Sequence, residues 1–316
     1  MKKPFGAVLV TALLAAAAPA QVVPVLPDEG GPRVVFEGTS PYHNIRVVDN
    51  HDTRLLCFDN SVESTMSLAD HLTGEFEYVD YFPMVWLWND HLANVLFIGL
   101  GGASIQRLFA HDYPQVRLDT AELDPLVAEV AERFFDYRPA DRQQLHLLDG
   151  RMYLQRTSAK YDAIILDPYT TNRYGAVLPP QLTTVEFFRL LKDHLRPGGV
   201  VAYNIYTALP NLQGRDIAGA ICRTLGQVFP RVYFFESQTS NNIVFIATLS
   251  NTPTDLAVLR PRADALIAEG RVRQPNFLPL LENFRTKPPV NVELCPILTD
   301  NYAPVEGLLA PAAPAK

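Results

Sequence analysis

Asn94-Val-Leu-Phe-Ile-Gly-Leu-Gly-Gly-Ala-Ser104 is the stretch of sequence that decides the fold. Its apolar run, residues 95–98, is typical of a parallel strand that is buried on both faces. The strand ends in Gly99, Gly101 and Gly102, where the backbone must turn tightly and approach a ligand closely. A helix is expected directly after these glycines. A strand, a glycine turn and a helix in this order predict the nucleoside-binding corner of an open α/β sheet.

Two acidic residues stand at the ends of the next two predicted strands. Glu122 closes the run 116–122, and Asp149 with Gly150 closes the run 144–148. In open α/β sheets a carboxylate after the second strand accepts hydrogen bonds from ribose hydroxyls. Asp149 lies where a side chain could form a hydrogen bond with the edge of a nucleobase. Three consecutive strand ends therefore predict a pocket for a nucleoside.

The glycine turn by itself does not decide between two classes of cofactor. The dinucleotide fingerprint has glycine at three positions, G-x-G-x-x-G, and Ser104 stands at the third. A close G-x-G with an acid about twenty residues later occurs in NAD-binding folds and in folds that bind S-adenosylmethionine. Asp149-Gly150 and the C-terminal half of the chain favour the second class. The alternative is that the glycines serve only close packing of helix against strand.

Composition excludes some classes of partner. The chain has 316 residues, of which 48% are apolar and 19% are charged. This length and composition predict one large domain, with or without a second small domain. The formal net charge is −7 and no basic block is present, which argues against a nucleic-acid partner. An acidic chain is compatible with a cationic small-molecule ligand.

The N-terminus has the pattern of a secretory signal peptide. Lys2 and Lys3 precede an apolar stretch at residues 7–18, and Ala18-Pro19-Ala20 is a small-x-small cleavage site. We therefore predict a signal peptide at 1–20 and a periplasmic or secreted protein without stable membrane insertion. The alternative is a retained anchor, but the stretch is shorter than the roughly 20 apolar residues that span a bilayer.

The cysteines and histidines do not predict a metal site or a disulfide framework. Three cysteines, Cys57, Cys222 and Cys295, are too few and too widely spaced for either. We expect each to be a small buried apolar residue. In an oxidising compartment, the alternative is one disulfide bridge and one remaining thiol. No metal cofactor is predicted.

The rest of the chain divides into four predicted segments. Residues 21–40 are expected to be an extended leader, 41–90 a small N-terminal domain built on a β-hairpin, and 305–316 a disordered tail. Residues 91–304 alternate strand and helix, which predicts a Rossmann-like parallel sheet. The six-residue link between the apolar runs near 232–248 makes the last pair antiparallel. The predicted fold class is α/β.

Asp167 is the candidate catalytic residue. It follows the apolar run 161–166, at the sheet edge where ligands bind in open α/β folds, and Pro168 then turns the chain outward. A carboxylate there could accept a proton from an amine nucleophile or hold it by a charge-assisted hydrogen bond. The alternative is that Asp167 only caps the Asp-Pro turn.

Further candidates are expected around the substrate. Tyr169 lies on the Pro/Tyr/Gly-rich loop 168–182, which is long enough to be a substrate gate. An acidic and aromatic set that could face the cleft is formed by Asp59, Glu63, Tyr78 and Asp80. The alternative for the loop is an aromatic segment packed on itself, and for the acids a solvated face.

From about Ser40 to Pro304 the chain resembles the spermidine synthases and related polyamine aminopropyltransferases, which have the class I methyltransferase fold. The motifs that carry the resemblance are Ser40-Pro-Tyr-His-Asn-Ile-Arg-Val47, the turn 95–104, Ala121-Glu-Leu-Asp124, Asp149-Gly150-Arg151, Tyr161-Asp-Ala-Ile-Ile-Leu-Asp167, Leu195-Arg-Pro-Gly-Gly199 and Leu298-Thr-Asp-Asn-Tyr-Ala-Pro304.

The resemblance implies a transferase that binds decarboxylated S-adenosylmethionine or S-adenosylmethionine and passes an aminopropyl group to an amine. It implies that Asp167 orients and deprotonates the amine, Glu122 holds the ribose, and Asp149 holds the adenine amine. The turn Gly99–Gly102 would hold the thioether chain. Methyl transfer is the alternative within the class. A non-catalytic periplasmic nucleoside- or polyamine-binding protein is the alternative outside it. Members of the family are often dimers or tetramers, so a homodimer is compatible with the resemblance.

The chain also departs from the family at the amine side of the site. The aspartate of the family's G-G-G-D-G turn is replaced by Gly102, and its D-S-S-D-P becomes Asp167-Pro-Tyr-Thr-Thr171, with Thr170 at the second acid. The family's glutamine beyond the second strand falls on Glu63, and its Y-H-E or Y-Q-E becomes Tyr78-Val79-Asp80. We therefore expect an intact nucleoside half, an altered amine half and a best substrate other than putrescine.

Overall fold

A computed structural model describes residues 31–172, 175–207, 216–289 and 292–309. The predicted signal peptide and the first part of the predicted leader lie outside the described residues. The described strands form a four-stranded sheet, a two-stranded sheet and an eight-stranded sheet.

The four-stranded sheet is antiparallel and forms the N-terminal β domain. Its strands are β1 (Arg33–Thr39), β2 (Asn44–Asn50), β3 (Thr53–Phe58) and β4 (Ser61–Ser67), in that spatial order. Residues 33–39 were expected in an extended leader, and this part of the expectation is wrong. β1 pairs with β2 along its length, and Phe36 is buried against the helix that follows the second strand of the large sheet.

The first half of the large sheet is parallel. Its strands alternate with helices, as the sequence predicted. In chain order the elements are β5 (Asn94–Ile98), α1 (Ser104–Asp112), β6 (Arg117–Glu122), α2 (Pro125–Phe134), β7 (Gln143–Leu147), α3 (Gly150–Arg156) and β8 (Tyr161–Leu166). Asp124 caps α2 by accepting a hydrogen bond from the Leu126 N–H, and Pro125 opens that helix.

The second half ends in antiparallel pairs. The elements are the hairpin β9 (Thr170–Asn172) and β10 (Gly175–Val177), α4 (Val185–Asp193), β11 (Leu195–Tyr206), α5 (Ile217–Leu225), β12 (Arg231–Glu236), β13 (Asn242–Thr248), α6 (Leu256–Ala268), α7 (Phe277–Leu281), β14 (Phe284–Arg285) and α8 (Val305–Leu309).

The large sheet has the order β14-β12-β13-β11-β8-β5-β6-β7. β13 runs antiparallel to both β11 and β12, so the predicted closing pair is confirmed. Together with the N-terminal β domain, this arrangement confirms the predicted α/β fold class. No helix among the described residues is both long and apolar enough to span a membrane.

Apolar clusters cover both faces of the large sheet. On β5, Leu96 and Ile98 face one cluster while Val95 and Phe97 face the other, because successive side chains of a strand point to opposite faces. This two-sided burial explains why β5 reads as a continuous apolar run. The three cysteines are buried, as predicted.

A 3-10 helix, Glu77–Leu87, connects the N-terminal β domain to β5; Pro83 lies inside it, and proline cannot donate a helical hydrogen bond. Two predicted segments differ from the structure. The predicted loop 168–182 contains the hairpin β9–β10. The tail expected to be disordered from 305 begins with α8, because Val305 and Leu308 are buried in the core around α5.

Candidate active site

A cavity of about 1210 Å³ lies at the carboxyl ends of β5, β6 and β8 and reaches the N-terminal β domain. The candidate residues from separate parts of the sequence meet on its wall. Those that line it are Gly99, Gly101, Glu122, Asp149, Gly150, Asp167, Tyr169, Tyr78, Asp80 and Glu63. Of the candidates, Gly102 does not line it.

The glycine turn brings β5 against the backbone of Asp167. Gly99 has φ +97°, and a Cβ at this position would stand 2.6 Å from the Asp167 carbonyl oxygen. Gly101 has φ +53°, so both glycines occupy the left-handed region. At Gly99 the turn combines two features that favour glycine, a positive φ and close approach to the backbone of Asp167.

Gly102 faces the N-terminal β domain. Its N–H donates to Ser64 Oγ at 2.9 Å. A Cβ on Gly102 would lie 2.8 Å from Ser64 Cβ and 3.1 Å from Phe135 Cδ1. The prediction that Gly102 touches the cofactor is therefore replaced by a packing role: Ser64 takes the space that a side chain at 102 would need.

Glu122 ends β6 and is buried beside the glycine turn. Its Oε2 accepts from the Leu100 N–H at 2.9 Å, and its Oε1 accepts from the Asp124 N–H at 2.8 Å. Burial raises the pKa of Glu122 to about 7, against the opposing effect of these backbone donors. Each carboxylate oxygen keeps accepting capacity for a further donor, such as a ribose hydroxyl.

Asp149 caps α3 at the next strand end. Its Oδ1 accepts from the Met152 N–H at 3.0 Å, and Gln181 Nε2 stands 3.5 Å from its Oδ2. On the same helix Arg151 makes a two-pronged ion pair with Asp300, at 2.8 and 2.6 Å. The C-terminal motif is thereby fixed beside Asp149.

Asp167 is held by two donors that are remote in sequence. Asn204 Nδ2 donates to Oδ1 at 2.8 Å, and the Tyr78 hydroxyl donates to Oδ2 at 3.2 Å. These partners argue against a role limited to capping the Asp-Pro turn. Removal from bulk water raises the pKa of Asp167 to about 6, while the Asn204 and Tyr78 hydrogen bonds lower it. A carboxyl with this pKa can be ionised at neutral pH and take a proton.

Glu63 is a second carboxyl on the same wall. Leu56 pairs with Ser64 while Cys57 pairs with Val62, so Glu63 is the extra residue of a β-bulge. Bulges redirect a side chain from the regular alternation of a strand. Burial, with Asp167 nearby, raises the pKa of Glu63 to about 7. Its Oε1 is buried with no hydrogen-bond partner among the described residues.

Asp80 and Tyr169 line the cavity with their polar groups already engaged. Asp80 Oδ2 accepts from Asn276 Nδ2 at 2.8 Å. The Tyr169 hydroxyl donates to the Asn204 carbonyl at 3.2 Å and accepts from the Tyr206 N–H at 2.6 Å. Tyr169 therefore forms a wall of the cavity that is tied to β11.

The charge of the cavity wall is acidic. Among its described lining residues Arg107 is the only Arg or Lys. The Arg107 guanidinium donates to the backbone carbonyls of Gly102, Phe135 and His71 and so does not project as a free cation. The described residues hold no group of three or more His, Cys, Asp or Glu suited to a metal ion. The wall therefore suits a cationic ligand.

Sequence reasoning missed the polar residues on the late strands. Asn204 contacts Asp167, and Asn242 donates to Asn204 Oδ1 at 2.9 Å. One signal was available: Asn204 follows the apolar run 200–203, just as Glu122 and Asp167 follow theirs. Asn242 had no such signal, since it begins its strand.

Comparison with known proteins gives a consistent result. Residues 77–252 match the family model of the spermine/spermidine synthase domain. A polyamine aminopropyltransferase of Vibrio vulnificus is 30% identical over 288 residues, which cover 87% of this chain and 91% of that protein.

Two solved structures have the same fold. A probable spermidine synthase from Corynebacterium glutamicum aligns with a TM-score of 0.61 at 24% identity, covering 73% of this chain and 86% of that chain. Human methyltransferase-like protein 13 in complex with SAH aligns with a TM-score of 0.55 at 25% identity, covering 63% and 95%. The motifs, the family model and the relatives agree, and the chain belongs to the spermine/spermidine synthase domain family.

Proposed function

We propose that the protein transfers an aminopropyl group from decarboxylated S-adenosylmethionine to an amine. The observation that carries this proposal is Asp167, an ionisable carboxyl held by Asn204 and Tyr78 at a strand end, beside the glycine turn. The amine nitrogen attacks the carbon next to the sulfonium. The C–N bond forms as the C–S bond breaks, the bonding electrons pass to sulfur, and the amine proton passes to Asp167. The products are the aminopropylated amine and methylthioadenosine.

The other carboxylates supply the nucleoside contacts. Glu122 accepts from the ribose hydroxyls with the oxygens that the Leu100 and Asp124 N–H groups fix in place. Asp149 accepts from the adenine amine, and the backbone at Gly99 and Gly101 follows the thioether chain. Since the sulfonium is already activated, the protein's main contributions are positioning and exclusion of water.

The carboxyls near the reacting carbon support the decarboxylated co-substrate. The charge of Asp167 raises the cost of ionising Glu63, and an ammonium beside these carboxyls relieves it. S-adenosylmethionine would bring its own carboxylate to these acids. Methyl transfer remains the second candidate, favoured by the fold shared with the human protein that binds SAH.

Glu63→Gln tests this choice of co-substrate. The wild-type protein should bind decarboxylated S-adenosylmethionine more tightly than S-adenosylmethionine. The substitution should reduce that preference by about tenfold or more, the usual effect of losing one charge-assisted hydrogen bond. Calorimetric titration with both ligands gives the ratio.

The control ligand and the control variant separate recognition from folding. Methylthioadenosine lacks the charged arm, so its affinity should not change in Glu63→Gln. Glu37→Gln makes the same chemical change at an exposed position of β1 and should leave every affinity unaltered. An equal loss of methylthioadenosine binding would show that Glu63 acts on structure instead.

The acceptor is proposed to be an amine other than putrescine. Thr170 stands at the position of the family's second acid, and the hydroxyl of Thr171 is committed to Asp59. Exposed Tyr42, Val62 and Tyr206 lie on the cavity wall and offer apolar contact to a longer or aromatic amine. This altered amine side is part of the proposal.

Product detection tests the proposed function directly. The protein is incubated with decarboxylated S-adenosylmethionine and a panel of short, long and aromatic amines, and mass spectrometry follows methylthioadenosine and the aminopropylated amine. A parallel reaction with S-adenosylmethionine detects methyl transfer. Nucleoside binding without either product would favour a non-catalytic binding protein.

Export is proposed from the N-terminal sequence. Lys2-Lys3, the apolar residues 7–18 and Ala18-Pro19-Ala20 indicate cleavage by a signal peptidase. Expressed in a bacterial host, the full chain should be recovered from the periplasm with an N-terminus near Gln21, as N-terminal sequencing would show. An intact Met1 in the cytoplasmic fraction would contradict the proposal.

A further inference from the structure

A chain of side-chain amides leads away from the candidate catalytic acid. Asn204 Nδ2 donates to Asp167 Oδ1 at 2.8 Å, Asn242 Nδ2 donates to Asn204 Oδ1 at 2.9 Å, and Ser240 Oγ donates to Asn242 Oδ1 at 2.7 Å. Asn204 and Asn242 are only 1% and 7% exposed. They lie near the paired ends of the antiparallel strands β11 and β13.

The donors and acceptors along this chain of amides follow a direction that is set by the charge on Asp167. An ionised Asp167 can only accept hydrogen bonds, so Asn204 must turn its Nδ2 toward it. The Asn204 Oδ1 then faces Asn242 and needs a donor, which the Asn242 Nδ2 supplies. The Asn242 Oδ1 in turn meets the Ser240 hydroxyl. Each amide orientation is therefore set by the next group along.

The far end of the chain is anchored to the helix that carries Tyr78. The Ser240 N–H donates to Ser237 Oγ at 3.2 Å, and Ser237 Oγ donates to Glu77 Oε2 at 2.9 Å. The same Glu77 oxygen accepts from the N–H groups of Gln238 and Thr239. Glu77 thus fixes the β12–β13 turn, while its neighbour Tyr78 donates to Asp167. Both donors of Asp167 depend on one short helix.

We propose that Asn242 is a positioning residue for Asp167. It holds the Asn204 amide in the orientation that donates to the carboxylate, and so favours the ionised form that takes the proton from the amine. The assignment of Asp167 as the proton acceptor rests on the proposed function. The effect of Asn242 on the ionisation of the Asp167 carboxyl does not rest on the proposed function.

The surroundings of Asp167 make these donors important. The titratable groups that face it are Tyr78 from the 3-10 helix, Glu63 from β4, Tyr169 from the segment after β8 and Tyr203 from β11. None of these described groups is a cation. Hydrogen bonds from Asn204 and Tyr78 are therefore what opposes the effect of desolvation on Asp167.

Asn242→Asp is a nearly isosteric substitution that tests this chain of hydrogen-bonded amides. A carboxylate at 242 cannot donate to Asn204 Oδ1, so the Asn204 amide should rotate and present its oxygen to Asp167. The titration midpoint of Asp167 should rise by about one pH unit or more. Asn242→Ala removes the donor without adding a charge and should move the midpoint in the same direction. Asn241→Asp adds the charge at the exposed neighbouring residue and should leave it unchanged.

The measurement is independent of turnover. Protein labelled with ¹³C at aspartate carboxyls is titrated by NMR, and the Asp167 resonance is the one that disappears in Asp167→Asn. Methylthioadenosine binding checks that each variant is folded. A wild-type midpoint in folded Asn242→Ala would overturn the proposal. Failure of both position-242 variants to fold would assign Asn242 to stability alone and would overturn it too.

A pH profile then connects the chain to catalysis. If aminopropyl transfer occurs, the acid limb of kcat in Asn242→Asp should move upward with the NMR midpoint, and activity lost at low pH should return at high pH. A purely structural role would lower kcat equally at every pH. If the wild-type protein shows no transfer, the proposed function fails while the NMR titration still decides the role of Asn242.

Discussion

Asp167→Asn is expected to lower turnover by about 10²–10⁴-fold, the usual contribution of a positioned base. The amide keeps the shape of the side chain but cannot take a proton from the amine. Nucleoside affinity should be almost unchanged, because the ribose and adenine contacts are proposed to come from Glu122 and Asp149. Initial rates of methylthioadenosine release and calorimetric titration of methylthioadenosine measure the two quantities separately.

Stability distinguishes a catalytic Asp167 from a structural one. The pKa of Asp167 is raised to about 6 from an ordinary 3.8, so ionising it costs folding free energy as the pH rises through that interval. The neutral variant should therefore be at least as stable as the wild type at pH 7. Asp141→Asn, at an exposed position, should change neither rate nor stability. A joint loss of stability and nucleoside binding in Asp167→Asn would contradict a catalytic role.

Gly99→Ala is expected to reduce the free energy of unfolding by about 2–4 kcal/mol, through backbone strain and steric overlap together. The φ of +97° disfavours any residue with a Cβ, and the added atom would stand 2.6 Å from the Asp167 carbonyl oxygen. The turn and Asp167 must then separate, so nucleoside binding should also fall. Denaturant unfolding and calorimetry provide the two measurements.

Gly270→Ala separates strain from overlap. Gly270 has φ +67° after α6, and a Cβ there would meet nothing within 4 Å. The substitution should cost about 1 kcal/mol, the penalty of a left-handed backbone alone. Equal losses at 99 and 270 would mean that the contact with Asp167 contributes nothing.

The local sequence pattern predicted which strand-end residues meet at one edge of the large sheet. Glycines or acids stand at or just after the ends of four parallel strands, and the carboxyl ends of parallel strands share one edge of a sheet. Gly99, Glu122, Asp149 and Asp167 therefore meet in the structure as the sequence indicated. The family assignment and the fold class are confirmed by the comparisons and the topology.

Features that depend on the register of paired strands or on the docking of the N-terminal β domain were beyond the sequence. The bulge at Glu63 arises from the register of β3 and β4, and the contact of Asn242 with Asn204 arises from the register of β11 and β13. The fit of Ser64 against Gly102 requires the N-terminal β domain to lie on the glycine turn. Neither register nor docking leaves a periodic signal in one sequence.

The carboxyls of the cavity wall couple ligand binding to the exchange of protons with the solvent. The pKa values of Glu63 and Glu122 are raised to about 7 and that of Asp167 to about 6, so Glu63 and Glu122 retain part of their protons near neutrality, and Asp167 does so in mildly acidic solution. A cation entering the cavity favours their ionised forms and expels those protons. Its apparent affinity should therefore weaken as the medium becomes acidic. The heat of binding should vary with the ionisation enthalpy of the buffer. A neutral nucleoside, which has no ammonium to place beside Glu63, should displace fewer protons.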